Sequence, residues 1–346
     1  MLRARSLLLR PAFGLALAIA LPVAAHSETA ERPGRWIGQV DESRRLFDWP
    51  GSGAGFAIEG SRLSVRLGNQ GENSLEIVVD GVSRRLDLRT GEQDYEIFDG
   101  TQGRHQIKLL KRTEGDVGAV RLVSAETDGR FVPPQAPRRR ILVIGDSIST
   151  GYGIEGRGPE CLATPQTQNQ MLTYAGQTAA ALDAEATVLA ASGRGLVRNY
   201  NGATEGTMRD LADRAVQSQA EPSHPAKGPF DLVLVHLGTN DFVKDGTPPG
   251  FGEAYEAGLR TLRQRYPDAS IYALIGPMLA PDRFDAASRA IRSAVETRQR
   301  AGDRQVRFFP FAPPPTSFGC AWHPGVEGQR DMAERLIERV KADQGW

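Results

Sequence analysis

The sequence predicts two domains: an all-β sandwich of the jelly-roll kind, followed by an α/β domain whose parallel sheet is flanked by helices. Three observations carry this. The chain is 346 residues long, more than one typical domain needs. Its first half reads as short alternating strands punctuated by glycine, its second as strands alternating with helical stretches. Between them runs Phe131-Val132-Pro133-Pro134-Gln135-Ala136-Pro137, whose prolines cannot continue a ladder and bias each preceding residue to extended backbone. The boundaries follow: 1–25 an export signal, 33–130 the sandwich, 131–138 a stiff linker and 139–346 the α/β domain.

The start of the chain reads as a targeting segment. Arg3, Arg5 and Arg10 give a basic opening, residues 13–21 an apolar core, and Val23-Ala24-Ala25 small residues for cleavage before His26. The apolar stretch is too short to be a convincing span, although an uncleaved anchor is the competing reading. The mature protein is therefore expected in the periplasm or outside the cell, an oxidising compartment, with no integral membrane association. There Cys161 and Cys320, the two cysteines of the chain, invite a disulfide. Neither lies in a metal-ligand spacing, and five scattered histidines give a zinc cluster little support. The formal net charge of zero gives no reason to expect nucleic acid or an anionic surface as partner. Arg138-Arg139-Arg140 reads as a solvated lead-in to a strand.

In the first domain, Arg62-Leu63-Ser64-Val65-Arg66-Leu67 alternates with period two, as do Leu75-Glu76-Ile77 and its continuation Val78-Val79. Asp80-Gly81 is a hairpin signal, because both positions tolerate positive φ, and Arg85-Leu86-Asp87-Leu88 is the return strand. Strands are also expected over 95–98, 105–110 and 119–123. In the second domain, apolar strands are expected at 141–144, 187–191, 232–236, 270–275 and 306–309. Phe251, Tyr255, Leu259 and Leu262 share one helical face, and Ala333, Leu336, Ile337 and Val340 another. Such alternation gives a parallel sheet with helices on both faces, and ligands bind at the carboxyl ends of its strands.

The residues able to do chemistry gather at those ends. Gly145-Asp146-Ser147 ends the first strand of the α/β domain in a tight turn presenting a serine, with a helix N-cap as the competing role. Asp146 adjoins Ser147 and cannot reach round to orient a base; it reads as a turn-stabilising carboxylate. Ser192-Gly193-Arg194-Gly195 lets backbone N–H groups approach a ligand closely. Asn240 can donate its amide to a developing oxyanion or sit in an Asx turn. Asp241 is expected to cap the following segment, and His236, inside an apolar strand, to be a core histidine. His323 is the base candidate, the one histidine in a loop of the α/β domain at the carboxyl side of a strand. Its neighbour Trp322 is either an apolar wall for a sugar ring or core.

These blocks resemble the SGNH, or GDSL-like, hydrolase superfamily: Gly145-Asp146-Ser147, the glycines of 192–195, Gly238-Thr239-Asn240-Asp241 and a late His323. The closer resemblance is to carbohydrate esterase family 2, whose members carry a jelly roll before the SGNH domain. It extends over Asp80-Gly81, Gly103-Arg104-His105, Lys111-Arg112-Thr113-Glu114, Gly151-Tyr152-Gly153, residues 192–199 and Gly319-Cys320 with Trp322-His323-Pro324. The resemblance implies a serine esterase that removes O-acetyl groups from plant polysaccharide; the export signal makes it secreted, and no cofactor is expected. Its partner would be an acetylated polysaccharide or oligosaccharide of the xylan or glucomannan type. It makes Ser147 the nucleophile, His323 the base, and the N–H groups of Ser147 and Gly195 with the Asn240 amide the oxyanion hole; Gly193 aligns as an alternative to Gly195. SGNH proteins usually place an aspartate two or three residues before the histidine, where this chain has Ala321 and Cys320. A Ser-His dyad held by a main-chain carbonyl is then expected. A lipase-like or thioesterase SGNH enzyme and an inactive carbohydrate-binding protein are the competing functions.

Overall fold

The structure, a computed structural model, describes residues 34–220, 223–244 and 246–346. The expected export signal over 1–25 lies outside the described residues.

The N-terminal domain is a curled antiparallel sheet of eight strands: β1 (Arg35–Ile37), β2 (Leu46–Phe47), β3 (Gly53–Asn69), β4 (Ser74–Val79), β5 (Val82–Asp87), β6 (Gly91–Lys111), β7 (Val120–Thr127) and β8 (Arg130–Val132). The hydrogen-bonded order is β2-β7-β3-β6-β4-β5, with β1 and β8 also pairing with β3. Its spine is the long pair β3–β6: β6 merges the strands expected at 95–98 and 105–110, and β3 extends the one expected at 62–67 back to Gly53. The register shifts between Gly60 and Arg62 and between Leu63 and Ser64, and such bulges bend and twist a strand. The Asp80-Gly81 turn joins β4 to β5 with both residues at positive φ, 49° and 87°, as its sequence demands. The core holds Phe47, Phe56, Leu63, Leu75, Ile77 and Ile107. β8 takes in Phe131 and Val132, so pairing with β3 continues into the segment expected as linker and stops at the first proline.

The C-terminal domain contains β9 (Arg139–Gly145), α1 (Ser147–Thr150), α2 (Tyr174–Ala181), β10 (Ala184–Ala190), α3 (Met208–Leu211), β11 (Leu232–His236), α4 (Thr239–Phe242), α5 (Phe251–Arg265), β12 (Ser270–Ile275), α6 (Pro281–Arg300), β13 (Val306–Pro310) and α7 (Val326–Gln344). The five strands are parallel in the order β10-β9-β11-β12-β13. Every residue of β11 and β12 is buried, as a sheet covered on both faces requires. α5 places Phe251, Tyr255, Leu259 and Leu262 in the core on one face, and α7 packs Ala333, Leu336 and Val340 on the other. The chain leaves β9 for β10 on one side and returns to β11 on the other. This reversal opens a crevice at the carboxyl end of β9, where α/β sheets bind ligands.

Candidate active site

Ser147 is the first residue of α1 and follows β9 directly. Asp146 is the N-cap: its carboxylate accepts the Ile148 N–H at 3.0 Å. The turn stays short because Gly151 closes α1 at φ 80°, where a Cβ would stand 2.4 Å from the Asn169 carbonyl oxygen. Burial pushes the Asp146 carboxyl up to about 7, with the Asp241 charge adding to it.

The loop before α7 brings His323 to this serine. Nε2 of His323 lies 2.8 Å from Ser147 Oγ, and Nδ1 lies 2.9 Å from the Ala321 carbonyl oxygen. A carbonyl only accepts, so Nδ1 carries the proton and Nε2 is the lone pair that receives the serine hydroxyl. Burial pushes His323 down to about 4, against the pull of the Ala321 and Cys320 backbone groups. The Tyr152 ring packs 4.9 Å from the imidazole, centroid to centroid.

Holding that carbonyl on the imidazole takes an unusual backbone. Ala321 and Trp322 both adopt positive φ, 51° and 61°, at a cost of about 1–2 kcal/mol each for residues bearing a Cβ. Neighbouring segments clamp the loop. Cys320 N–H donates to Gly153 O, Ala321 N–H to Cys161 O and Trp322 N–H to Pro159 O. A disulfide joins Cys161 to Cys320 with their Cα atoms 4.7 Å apart. Trp322 is 56% exposed beside the site, which removes the core alternative.

The other two strand ends meet here. Asn240 is buried in α4, and its Nδ2 donates to Arg194 O at 2.9 Å, with a longer contact of 3.4 Å to Asp146 Oδ2. The glycine loop after β10 corrects the sequence expectation. Gly195 N–H donates to Asn199 Oδ1 at 3.1 Å, so it is already used inside the loop. Gly193, at φ 74°, has an N–H that meets no acceptor among the described residues. A second correction concerns Asp241. It is fully buried, and its carboxylate accepts the N–H groups of Leu196, Val197 and Arg198 at 2.8–2.9 Å. A buried carboxylate needs such donors, and it anchors the glycine loop rather than capping the segment after it. His236 is the expected core histidine, with Nε2 donating to Gly276 O at 2.6 Å. Among the described residues no group of three His, Cys, Asp or Glu side chains is placed to hold a metal ion, and no helix is long and apolar enough to cross a membrane. Tyr152 and Asn199 lie within the matching blocks, but sequence shows no task for either, because their partners are distant along the chain or hidden within a loop.

Residues 143–331 match the GDSL-like Lipase/Acylhydrolase family, and residues 34–135 match the carbohydrate esterase 2 N-terminal domain. The chain is 32% identical to the cellulase/esterase CelE of Acetivibrio thermocellus over 305 residues, covering 86% of this chain but only 38% of that protein. It is 30% identical over 321 residues to an acetylxylan esterase / glucomannan deacetylase of Cellvibrio japonicus, covering 88% of this chain and 87% of the relative. In structure it resembles a family two carbohydrate esterase from Clostridium thermocellum solved in complex with cellohexaose. The TM-score is 0.85 at 31% identity, over 90% of this chain and 99% of that one. The chain belongs to the GDSL-like lipase/acylhydrolase family and, within it, to the family 2 carbohydrate esterases, which are carboxylic ester hydrolases.

Proposed function

We propose that this protein removes O-acetyl groups from polysaccharide of the xylan or glucomannan type through an acyl-enzyme formed by a Ser147-His323 dyad. The observation that carries the reading is the 2.8 Å contact between His323 Nε2 and Ser147 Oγ, with Nδ1 fixed by the Ala321 carbonyl. Ser147 Oγ attacks the acetyl carbonyl while its proton passes to Nε2. The tetrahedral oxyanion is met by the Ser147 N–H, at the start of a helix where the ladder offers no acceptor, by the Gly193 N–H and by the Asn240 amide. Collapse breaks the bond from the carbonyl carbon to the sugar oxygen, which takes the proton from His323 and leaves as a hydroxyl. Water then enters by the reverse route, releases acetate and restores the serine. Trp322, exposed beside His323, offers an apolar face to a sugar ring.

The named activities of the relatives support polysaccharide as substrate. The jelly-roll architecture of the N-terminal sheet and export to the periplasm or exterior belong to the same reading. The test is acetate release from acetylated xylan and glucomannan, compared with hydrolysis of a long-chain nitrophenyl ester and an acyl-thioester. Preference for the acetylated glycans is expected. Preference for the long chain or the thioester would assign a different substrate class, and inactivity on all would leave a binding protein.

A further inference from the structure

The N-terminal domain reaches into the site through one buried carboxylate. Glu114 follows β6 and is 3% exposed. Its Oε2 accepts the Ser192 N–H at 2.9 Å, and its Oε1 accepts Gln168 Nε2 at 3.1 Å. Its own N–H donates to Gln168 Oε1 at 2.9 Å. The turn carrying it is fixed from behind by Lys111, fully buried, whose Nζ donates to Thr113 O at 2.9 Å and to Glu114 O at 2.7 Å. Burial pushes that ammonium down to about 7. A cation and a carboxylate withdrawn from water at one turn are expensive unless their partners are well placed.

Ser192 opens the loop that holds the candidate oxyanion donor, and hydrogen bonds on either side of the peptide of interest fix that loop. Ser192 N–H is held by Glu114, Gly193 O by the Tyr200 N–H, Arg194 N–H by Ala191 O, Arg194 O by Asn240, and Gly195 N–H by Asn199. Between the first two anchors lies the Gly193 N–H, which meets no acceptor among the described residues. Glycine at positive φ turns freely, so the direction of this N–H depends on the anchors either side. Ser192 Oγ also lies 3.3 Å from Thr150 Oγ1, which donates to Ser147 O at 3.1 Å, tying the loop to the nucleophile turn.

We propose that Glu114 is a positioning residue for ester hydrolysis: from the β domain it grips the Ser192 N–H and so aims the Gly193 N–H at the oxyanion. The proposal rests on Gly193 being an oxyanion donor in the esterase reading above. The β domain then completes the hydrolase site.

The test uses the full chain with Glu114→Ala, Glu114→Asp and Glu114→Gln, assayed well below each variant's Tm. Glu114→Ala is expected to lower kcat by about tenfold to a hundredfold, less than deletion of a whole donor, with KM within about threefold. Inactivation by a nitrophenyl phosphonate, whose phosphonyl oxygen takes the oxyanion position, should slow by the same factor. Glu114→Gln keeps an acceptor for Ser192 and should recover kcat to within about fivefold, which a general loss of packing would not explain. If the alanine variant fails to fold, Glu114→Asp decides, because its side chain is one methylene too short to keep the grip. A folded Glu114→Ala or Glu114→Asp with wild-type kcat, a loss confined to KM, or no recovery by glutamine would overturn the proposal. Ser147→Ala run alongside separates the two readings: if it keeps activity, the serine mechanism fails and not the part given to Glu114.

Discussion

If His323 is the base, as proposed, then a half-buried base without a carboxylate partner should keep an esterase working in mild acid. An imidazole in water titrates near 6.5, and His323 is pushed down to about 4. The cause is burial, beneath Tyr152 and against Ser147. The Ala321 carbonyl opposes it but, being neutral, cannot hold the imidazolium as a carboxylate does. At pH 5.5 a base of pKa about 4 is about 97% neutral, whereas one near 6.5 is about 9% neutral, a difference of about tenfold in kcat/KM. The assay is kcat/KM for nitrophenyl acetate and for acetylated xylan from about pH 3.5 to 8, because that ratio reports the free enzyme. Folding must be followed over the same range. His236, fully buried, is also pushed down to about 4 from 6.5. The unfolded chain takes that proton first, so its contribution to stability is complete above about 6.5 and declines as pH falls toward 4. An acid limb centred near 6.5 in protein that is still folded would refute the assignment of a desolvated, carboxylate-free base.

Ser147→Ala and His323→Ala should each lower turnover by several powers of ten without unfolding, and the double variant should be scarcely worse; more than about a tenth of wild-type turnover in Ser147→Ala would end the serine mechanism. Asn240→Ala should cost about a hundredfold to a thousandfold in kcat, the worth of one oxyanion donor, and an unchanged rate would leave it only its bond to Arg194 O. Glu327 is exposed and paired with Arg330, and Asp331 accepts the Thr316 hydroxyl, so Glu327→Gln and Asp331→Asn should stay within about tenfold; a loss of about four powers of ten would reveal a carboxylate completing the dyad. Paired Cys161→Ser and Cys320→Ser should lower stability by about 2–5 kcal/mol and lower kcat at temperatures where the protein stays folded, as read by acetate release and thermal melting; an undiminished kcat would show that the other clamps suffice.

The sequence made the hydrolase half legible because its signals are local. Apolar runs ending in Gly145, Ala190 and His236 give buried parallel strands, and the residues just beyond them fall at one edge whatever the loops do. Helix faces followed their spacing for the same reason. The β domain was less legible. Period two finds a strand but not where it bends, so β6 reads as two strands, at 95–98 and 105–110, and β3 only as its 62–67 stretch, without the part from Gly53 to Ser61. At the site, the choice between Gly193 and Gly195 turned on which N–H was already used. That depends on Asn199, four residues on, folding back to Gly195, and no motif records it. Asp241 reads as a cap in sequence because a carboxylate after a strand commonly caps. Here its three N–H donors lie more than forty residues earlier in the chain.

The missing aspartate is where local and distant information meet. An imidazole base needs its far nitrogen held by an acceptor, and Ala321 has only its carbonyl to offer. Two consecutive left-handed residues fold it round, and glycine, the usual choice for such φ values, is found at neither position. The deficit is offset outside the turn, by backbone bonds to Gly153, Cys161 and Pro159 and by the covalent link to Cys161. Residues 153–161 thereby brace the turn whose Ala321 carbonyl stands where a carboxylate would. That carbonyl fixes the tautomer with Nε2 toward Ser147, while adding no negative charge to stabilise an imidazolium. Such a site should favour esters whose leaving group asks little of the proton donor, so the ratio of nitrophenyl acetate to acetylated-glycan turnover should be high and should fall if a carboxylate is introduced within reach of Nδ1.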